Sequence, residues 1–174
     1  IPNLNLMRIA HGITIATEMA TSLETHYQNR RAEFGLDVRI NLAVARHFKS
    51  SQYVKAQQVR TLAIHSFNDL FEKVDVVVTP TTGCTASKIL PDAVPHGESD
   101  LSLLTKIMRY MFVANLTGIP GLSVPVGYDP NGLPIGFQLM GRPFEEHLLL
   151  RLGRAIEQDV IRQKPQVFFD ILRD

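Results

Sequence analysis

The sequence has only one cysteine, almost no net charge and no long apolar run. Because Cys84 stands alone among 174 residues, an internal disulfide and any metal site built from several cysteines are excluded. No stretch approaches the ~18 uninterrupted apolar residues of a membrane-spanning helix. Lys and Arg number 18 against 17 Asp and Glu, and this balance gives no reason to expect nucleic-acid binding. With 45% apolar and 20% charged residues, the chain has the composition of a globular protein.

Composition divides the chain into two parts. Residues 1–74 are poor in glycine and proline and predict helices. Residues 75–174 hold most of both and predict, in order, strand, loop, helix, β-hairpin and helix. The predicted fold class is therefore α/β. Since the chain begins at Ile1 with neither methionine nor a secretory pattern before it, we expect a further part upstream and interpret residues 1–174 as one partial domain.

Apolar residues three and four apart predict three helices in the first part. Gly35 is placed to end the first helix and Asp37 to begin the second, which runs to about Phe48. The pair Ser50–Ser51 opens the third. The predicted apolar face of the first helix is Leu6, Ile9, Ile13, Ala16, Ala20, Leu23 and Tyr27. That of the third is Val59, Leu62, Phe67, Leu70 and Val74.

The second part begins with a β-branched run, Val76–Thr79, that predicts a short buried strand ending at Pro80. A long loop over 80–99 follows, and loops of that length are often functional. Ser99 or Asp100 is placed to cap the next helix. The predicted face of that helix is Leu101, Leu104, Met108, Phe112 and Asn115, and Gly118 and Pro120 end it.

Alternating apolar residues on both sides of Asp129–Gly132 predict a β-hairpin with a tight turn. Gly127 and Gly136 are expected to let another segment approach the strands closely, and Pro125 to make the first strand irregular. The alternating residues are Leu122, Val124, Val126 and Tyr128 before the turn, and Ile135, Phe137 and Leu139 after it. Glu145 and Glu146 predict the first turn of a last helix, whose buried residues are expected to be Leu148, Leu152 and Ala155 or Ile156. The tail from Lys164 is expected to pack Phe168, Phe169 and Ile171 on the body of the protein.

No motif carries a catalytic set by itself. Ser123 lies inside a predicted strand rather than in a G-x-S-x-G elbow, so we interpret it as structural. Cys84 lies in a polar loop with no evident base beside it, and we interpret it as unreactive. The six histidines form no metal-binding pair, and no phosphate-binding loop occurs. The cluster Met108–Phe112 fits either an apolar ligand channel or ordinary core packing, and the residues alone leave both interpretations open.

The stretch from Asn115 to Arg142 contains, in order, N-x-x-G-x-P, S-x-P-x-G and G-L-P-x-G-x-Q. Upstream, Asp75–Thr81 has the form D-x-x-x-x-P-T. These motifs, from Asp75 to Glu157, resemble the C-terminal part of the amidase signature family. The segment Met140–Phe144 and the ending 164–172 are most similar to the plant fatty acid amide hydrolase branch of that family.

The resemblance implies a mixed β-sheet between helical layers and hydrolysis of carboxamides through an acyl-enzyme, without a metal or organic cofactor. It implies fatty acid amides of the N-acylethanolamine type as substrates. The family's Ser-Ser-Lys relay lies in its N-terminal half, and nothing in this sequence matches it. We therefore assign no catalytic residue to this chain and expect it to be inactive alone.

The resemblance also implies which residues line the acyl side of the substrate channel, and it favours the channel interpretation for Met108 and Phe112. These residues are Thr81, Thr82, Thr105, Met108, Met111 and Phe112. The expected partners are a small amide with an apolar acyl chain and no nucleic acid; peripheral membrane association, a homodimer and an N-terminal half of the enzyme stay open. The expected location is intracellular, in the cytoplasm or on an endomembrane. The alternatives are a truncated or non-catalytic amidase-like protein and half of a split enzyme.

Overall fold

The computed structural model describes residues 1–163 and has the expected α/β class. Helices make up the first part: α1 (Leu4–Ser22), α2 (Glu24–Arg30), α3 (Leu36–Ala45) and α4 (Ser50–Phe71). The second part contains, in order, β1 (Val77–Pro80), α5 (Ala93–His96), α6 (Leu101–Ile107), α7 (Phe112–Thr117), β2 (Gly121–Tyr128), β3 (Pro134–Met140) and α8 (Glu146–Asp159). The expected packing of the tail from Lys164 lies outside the described residues.

Three features of the first helices differ from their predictions. The face expected to be one helix is broken at Leu23, whose φ of −98° and ψ of 4° separate α1 from α2. Gly35 does not end a helix but stands at the N-cap of α3, and a Cβ there would lie 2.7 Å from Oδ1 of Asp37. Helix α3 ends at Ala45, before the expected Phe48.

The buried face of α4 is formed by small residues as well as large ones. Ala63 and Phe67 are almost completely buried, whereas Leu62 on the predicted face is 60% exposed. The small Ala56 and Ala63 side chains let α4 pack closely on α1, which buries Ala10 in return. Leu62 was therefore wrongly predicted, because tertiary packing favours the side of the helix that carries the alanines. Helix α4 also ends at Phe71, short of the predicted Val74.

The strands form an antiparallel sheet in the order β1-β3-β2 within the described residues. Met140 of β3 faces a core shared by α1, α4 and α7, whose buried members include Met7, Phe67, Phe112 and Leu116. Leu139 faces the opposite side, where Val124 and Leu149 of α8 are buried with it. The sheet thus lies between two helical layers, as expected. Its described strand pairs are all antiparallel, however, and not the mixed sheet that the resemblance implied.

The β-hairpin is confirmed, and Asp129 organises its turn. Its Oδ1 accepts hydrogen bonds from the backbone N–H groups of Asn131 (2.8 Å) and Leu133 (2.9 Å). Its other oxygen, Oδ2, accepts one from the Thr85 hydroxyl (2.8 Å). The bond from Leu133, followed by the one from Thr85, lowers the pKa of the Asp129 carboxyl. Gly132 has a φ of +80°, which glycine adopts without steric cost.

The strand glycines and Pro125 behave differently from one another. The pairing of β2 with β3 shifts register between Pro125 and Gly127, so the expected irregularity is confirmed. Gly136 lies against the segment after β1, and a Cβ there would be 2.7 Å from Oγ1 of Thr81. Gly127 has no atom within 4 Å of such a Cβ, so the close approach expected there is wrong.

The helix expected from Asp100 is two helices. Oδ1 of Asp100 accepts a hydrogen bond from the N–H of Leu103 (2.9 Å), which confirms the cap. Helix α6 ends at Ile107, and a turn over 108–111 precedes α7. Leu101 is 61% and Leu104 44% exposed, so the predicted face is not buried along α6.

Helix α8 buries its predicted side in part. Leu152 and Ile156 pack against the sheet, which decides between Ile156 and the exposed Ala155. The most buried positions are Leu149 and Gly153, next to the predicted ones. Gly153 allows the closest approach, since a Cβ there would lie 2.7 Å from Cδ2 of Leu122.

Candidate functional site

The turn between α6 and α7 separates two cavities. Tyr110 lies at the centre of this turn and lines both of them. Its backbone carbonyl accepts a hydrogen bond from Nε2 of Gln138 (3.2 Å), a buried residue of β3. This bond ties the turn to the sheet, so the position of Tyr110 depends on residues far away in the sequence.

The first cavity, called here the apolar cavity, has a volume of about 280 Å³. It lies between the start of α1, strand β1 and helix α7. Its apolar wall includes Leu4, Phe67, Val77, Phe112, Val113 and Met140. Asn5, Arg8, Thr79 and Arg109 add polar groups to the lining. An elongated apolar molecule with one polar end matches such a wall.

The second cavity, called here the loop cavity, has a volume of about 260 Å³ and lies on the other side of Tyr110. Its lining includes Thr82, Cys84, Tyr110 and Gly136. The Thr82 hydroxyl donates a hydrogen bond to the carbonyl of Cys84 (2.7 Å), which holds the loop in a tight bend. Hydroxyl, thiol and backbone groups therefore give this cavity a more polar wall than the apolar cavity.

The six residues that sequence comparison implied for the substrate channel lie in different surroundings. Phe112 is buried in the wall of the apolar cavity, and Thr82 lines the loop cavity. Met108 and Met111 are half-buried at the two ends of the turn that separates the cavities. The remaining two, Thr81 and Thr105, line neither cavity.

The hydroxyls of Thr81 and Thr105 are both engaged within the fold. Oγ1 of Thr81 lies 2.6 Å from Oγ of Ser123, and its N–H donates to the carbonyl of Gly136 (2.8 Å). The hydroxyl of Thr105 donates to the carbonyl of Leu101 (2.7 Å) on the exposed side of α6. The roles of all six residues in binding substrate stay predictions.

Sequence reasoning missed Arg8 and Arg109 as cavity residues. Arg109 belongs to the same turn as the predicted methionines, so the sequence offered a signal in that region. Arg8 lies on α1, and only the packing of α1 against α7 brings it to the same cavity. No local pattern in the sequence indicates that contact.

His11 is a buried titratable group behind this site. It is 6% exposed, its ring centroid lies 6.4 Å from that of Phe112, and its Nε2 has no hydrogen-bond partner among the described residues. Burial lowers the pKa of its imidazole below the ordinary value of 6.5. Glu18 and Arg60 are the charged groups that line the cavity beside it, which has a volume of about 310 Å³.

Stability is expected to fall as the pH is lowered below 6.5, because the unfolded chain takes up a proton that folded His11 resists. The loss should level off once the pH is below the folded pKa. Urea unfolding of the protein and of His11→Leu between pH 7.5 and 5 measures it. The variant should show a flatter pH profile, and the exposed control His65→Leu an unchanged one; equal profiles for all three proteins would contradict the assignment.

The described part of the chain has neither a metal-binding cluster nor a membrane-spanning helix. Within residues 1–163, no cluster of three or more His, Cys, Asp or Glu side chains could hold a metal ion. Over the same range, no helix combines the length and apolar character needed to cross a membrane.

Comparison with known proteins shows the family to which this chain belongs. The profile of the Amidase family matches residues 4–150. The fatty acid amide hydrolase of Oryza sativa subsp. indica is 44% identical over 175 residues, which cover 99% of this chain and 29% of that protein. A glutamyl-tRNA(Gln) amidotransferase subunit of Brevibacillus brevis is 38% identical over 151 residues, or 82% of this chain and 29% of that protein.

A solved structure described as an amidase superposes with a TM-score of 0.78 and 20% identity, covering 91% of this chain and 36% of that one. At this identity the match shows a shared fold. Together, the fold and the motifs define an amidase signature domain with similarity to fatty acid amide hydrolases, and the chain belongs to the Amidase family. It spans about 29% of the length of the curated relatives it matches.

Proposed function

We propose that this chain is the C-terminal third of a serine amidase that hydrolyses fatty acid amides. The observation that carries the proposal is the similarity to plant fatty acid amide hydrolases over 99% of the chain. The similarity to the bacterial amidotransferase is lower and covers less of the chain. The apolar wall around Phe112 supports an acyl substrate over a small polar amide.

In this proposal the chain supplies scaffold and pocket rather than the reacting groups. The proposed substrate-binding residues are Thr81, Thr82, Thr105, Met108, Met111 and Phe112. Each acyl methylene buried on such a wall contributes about 0.8 kcal/mol, so the pocket selects for chain length. The nucleophilic serine and its Ser-Lys relay come from the upstream two thirds of the enzyme, and the acyl-enzyme forms there.

The contacts among the described residues support this division. Oγ of Ser123 lies 2.6 Å from the Thr81 hydroxyl, and this serine is not bonded to a histidine, lysine or carboxylate within residues 1–163. A hydroxyl in that setting has no base to remove its proton. We accordingly propose no nucleophile in this chain and an intracellular protein that works in the cytoplasm or at an endomembrane surface.

The test is to supply the upstream part. The 174-residue chain is co-expressed with the upstream two thirds of the rice fatty acid amide hydrolase, and release of free fatty acid from an N-acylethanolamine is measured. We expect turnover by the pair and none by the chain alone. Turnover by the purified chain alone would overturn the proposed division of labour.

A matched control separates assembly from chemistry. An upstream segment whose nucleophilic serine is replaced by alanine should bind the chain equally well and give no turnover. If the intact pair associates but hydrolyses no amide, the chain is a non-catalytic relative; if it does not associate, the chain is a truncated product without a partner. Both results contradict the proposed function.

A further inference from the structure

Side-chain hydrogen bonds join helices α1 and α4 at successive turns. The Tyr53 hydroxyl of α4 donates to Oε1 of Glu18 on α1 (2.9 Å). One turn further along α4, Nε2 of Gln57 donates to Oγ1 of Thr14 (2.9 Å). Four residues forward on α4 therefore correspond to four residues back on α1, so the two helices run antiparallel with a fixed register.

The next turn of the same register brings His11 opposite Arg60. A step of three residues on each helix, from Thr14 to His11 and from Gln57 to Arg60, is about one further turn. Nε2 of His11 and Nε of Arg60 are both buried, and neither has a hydrogen-bond partner within residues 1–163. Since buried polar groups in folded proteins are nearly always paired, these two side chains keep hydrogen-bonding capacity for a group from outside the chain.

A cavity of about 310 Å³ lies beside this pair. His11 and Arg60 line it together with Asn115 and Leu116 of α7, and Ile15 adds a second apolar side chain. Leu116 is only 2% exposed, so part of the wall is deeply buried and apolar. The lining shares no residue with the apolar cavity or the loop cavity, and the site is therefore separate from the proposed acyl pocket.

The facing pair carries one positive charge near neutral pH. Burial lowers the pKa of the His11 imidazole, so the ring is neutral and donates from one nitrogen, whereas the Arg60 guanidinium stays charged. Arg60 takes part in no ion pair within residues 1–163. Glu18, the other charged residue of the wall, lies two turns from His11, about 10 Å along α1, and accepts the bond from Tyr53.

These groups select among small ligands by charge and shape. A neutral amide leaves the charge of Arg60 unpaired, and a phosphate dianion brings more negative charge than one arginine offsets, with Glu18 on the same wall. A carboxylate has one negative charge and two oxygens, which match a guanidinium and a neutral imidazole donor. A short alkyl group attached to it finds an apolar surface at Leu116 and Ile15.

We propose that the cavity between α1, α4 and α7 binds a short aliphatic carboxylate, whose oxygens accept hydrogen bonds from the Arg60 guanidinium and the His11 imidazole. The volume of about 310 Å³ is roughly ten times the ~30 Å³ of one water in the liquid, which is enough for a carboxylate of a few carbons. The bound anion joins α1 to α4 one turn beyond the contact of Gln57 with Thr14. The proposal uses only residues of this chain and does not rest on the function proposed above.

Titration calorimetry on the purified 174-residue chain, at constant ionic strength, compares butyrate, butanamide and inorganic phosphate. We expect butyrate to bind at least about fivefold more tightly than either of the others. Because the anion binds the folded chain, butyrate should also raise the urea midpoint of unfolding in proportion to its occupancy. Equal affinity for butyrate and butanamide, or no binding of butyrate, would overturn the proposal without any variant.

Nuclear magnetic resonance of the imidazole rings locates the bound anion. Butyrate should shift the ring resonances of His11 in a saturable way, with the affinity that calorimetry gives. The rings of His26 and His65, which are exposed, should not shift. Saturable butyrate binding that leaves the His11 ring unchanged would place the anion elsewhere and refute the site.

A pair of variants on α4 assigns the charge. Arg60→Met keeps the apolar stem and removes the guanidinium, so butyrate affinity should fall by about fivefold or more while butanamide affinity stays the same. The control Lys55→Met removes an equal charge from an exposed position of the same helix that does not line this cavity, and it should leave butyrate affinity unchanged. Equal butyrate affinity in Arg60→Met and the unmodified chain, with native circular dichroism, would contradict the assignment.

Discussion

Replacing Phe67 by alanine is expected to lower the free energy of unfolding by about 3–5 kcal/mol. Phe67 is 1% exposed, lies in the core between α4, α7 and the sheet, and packs on Phe71 with ring centroids 6.3 Å apart. It also lines the apolar cavity, so its removal joins new empty space to a cavity that already exists. Urea unfolding followed by circular dichroism measures the change.

The matched control is Leu62→Ala on the same helix. Leu62 is 60% exposed, and its truncation should change the free energy of unfolding by no more than about 0.5 kcal/mol. The sequence alone assigned both residues to one buried face, so the pair measures how far the packed structure departs from that pattern. Similar losses in the two variants would mean that α4 is rotated from the orientation described above.

The predictions that succeeded depend on local chemistry. The hairpin follows from strict alternation on either side of Asp129–Gly132, because a side-chain period of two fixes one face of each strand. The cap at Asp100 is confirmed because a cap requires only a side-chain oxygen and an N–H three residues on. Such features are complete within a few residues, and a single sequence contains them.

The predictions that failed depend on which elements meet. Counting large apolar residues placed Leu62 inside, whereas the close contact of α1 and α4 buries Ala10, Ala56 and Ala63. The helix predicted through Met108 breaks at the turn whose Tyr110 carbonyl accepts a bond from Gln138 of β3. Small residues and long-range hydrogen bonds decide both cases, and neither produces a periodic signal.

The residues of the candidate site likewise fall into two groups: those that sequence motifs indicate and those that only the packing of helices brings to the cavity. Phe112 and Thr82 could be named from motifs that resemble a known family, and the structure places each in a cavity wall. The presence of Arg8 and Arg109 in the lining of one cavity could not, because it arises only when α1 packs on α7. Sequence therefore indicated the region of the pocket, while its charge pattern required the three-dimensional fold.

Replacing Gly83 by alanine is expected to destabilise the protein by about 1–3 kcal/mol and to disturb the loop cavity. A Cβ at this position would lie 2.3 Å from the backbone carbonyl oxygen of Lys106 and 3.4 Å from Cβ of Arg109. The N–H of Gly83 donates to that same carbonyl at 3.1 Å. Since the obstructing atom belongs to the backbone at the end of α6, no side-chain rotation can relieve the contact.

The contact between Gly83 and the carbonyl of Lys106 also affects the candidate site. Gly83 fixes the loop after β1 against the turn that carries Arg109 and Tyr110, and both cavities are built on that turn. Gly83→Ala should therefore lower the urea midpoint of unfolding. Gly12→Ala offers the opposite control: nothing lies within 4 Å of a Cβ there, and alanine in mid-helix should raise stability by about 0.5–1 kcal/mol. Should both alanine variants stabilise the protein, the close approach of the loop to α6 would be disproved, because only open space around Gly83 permits that result.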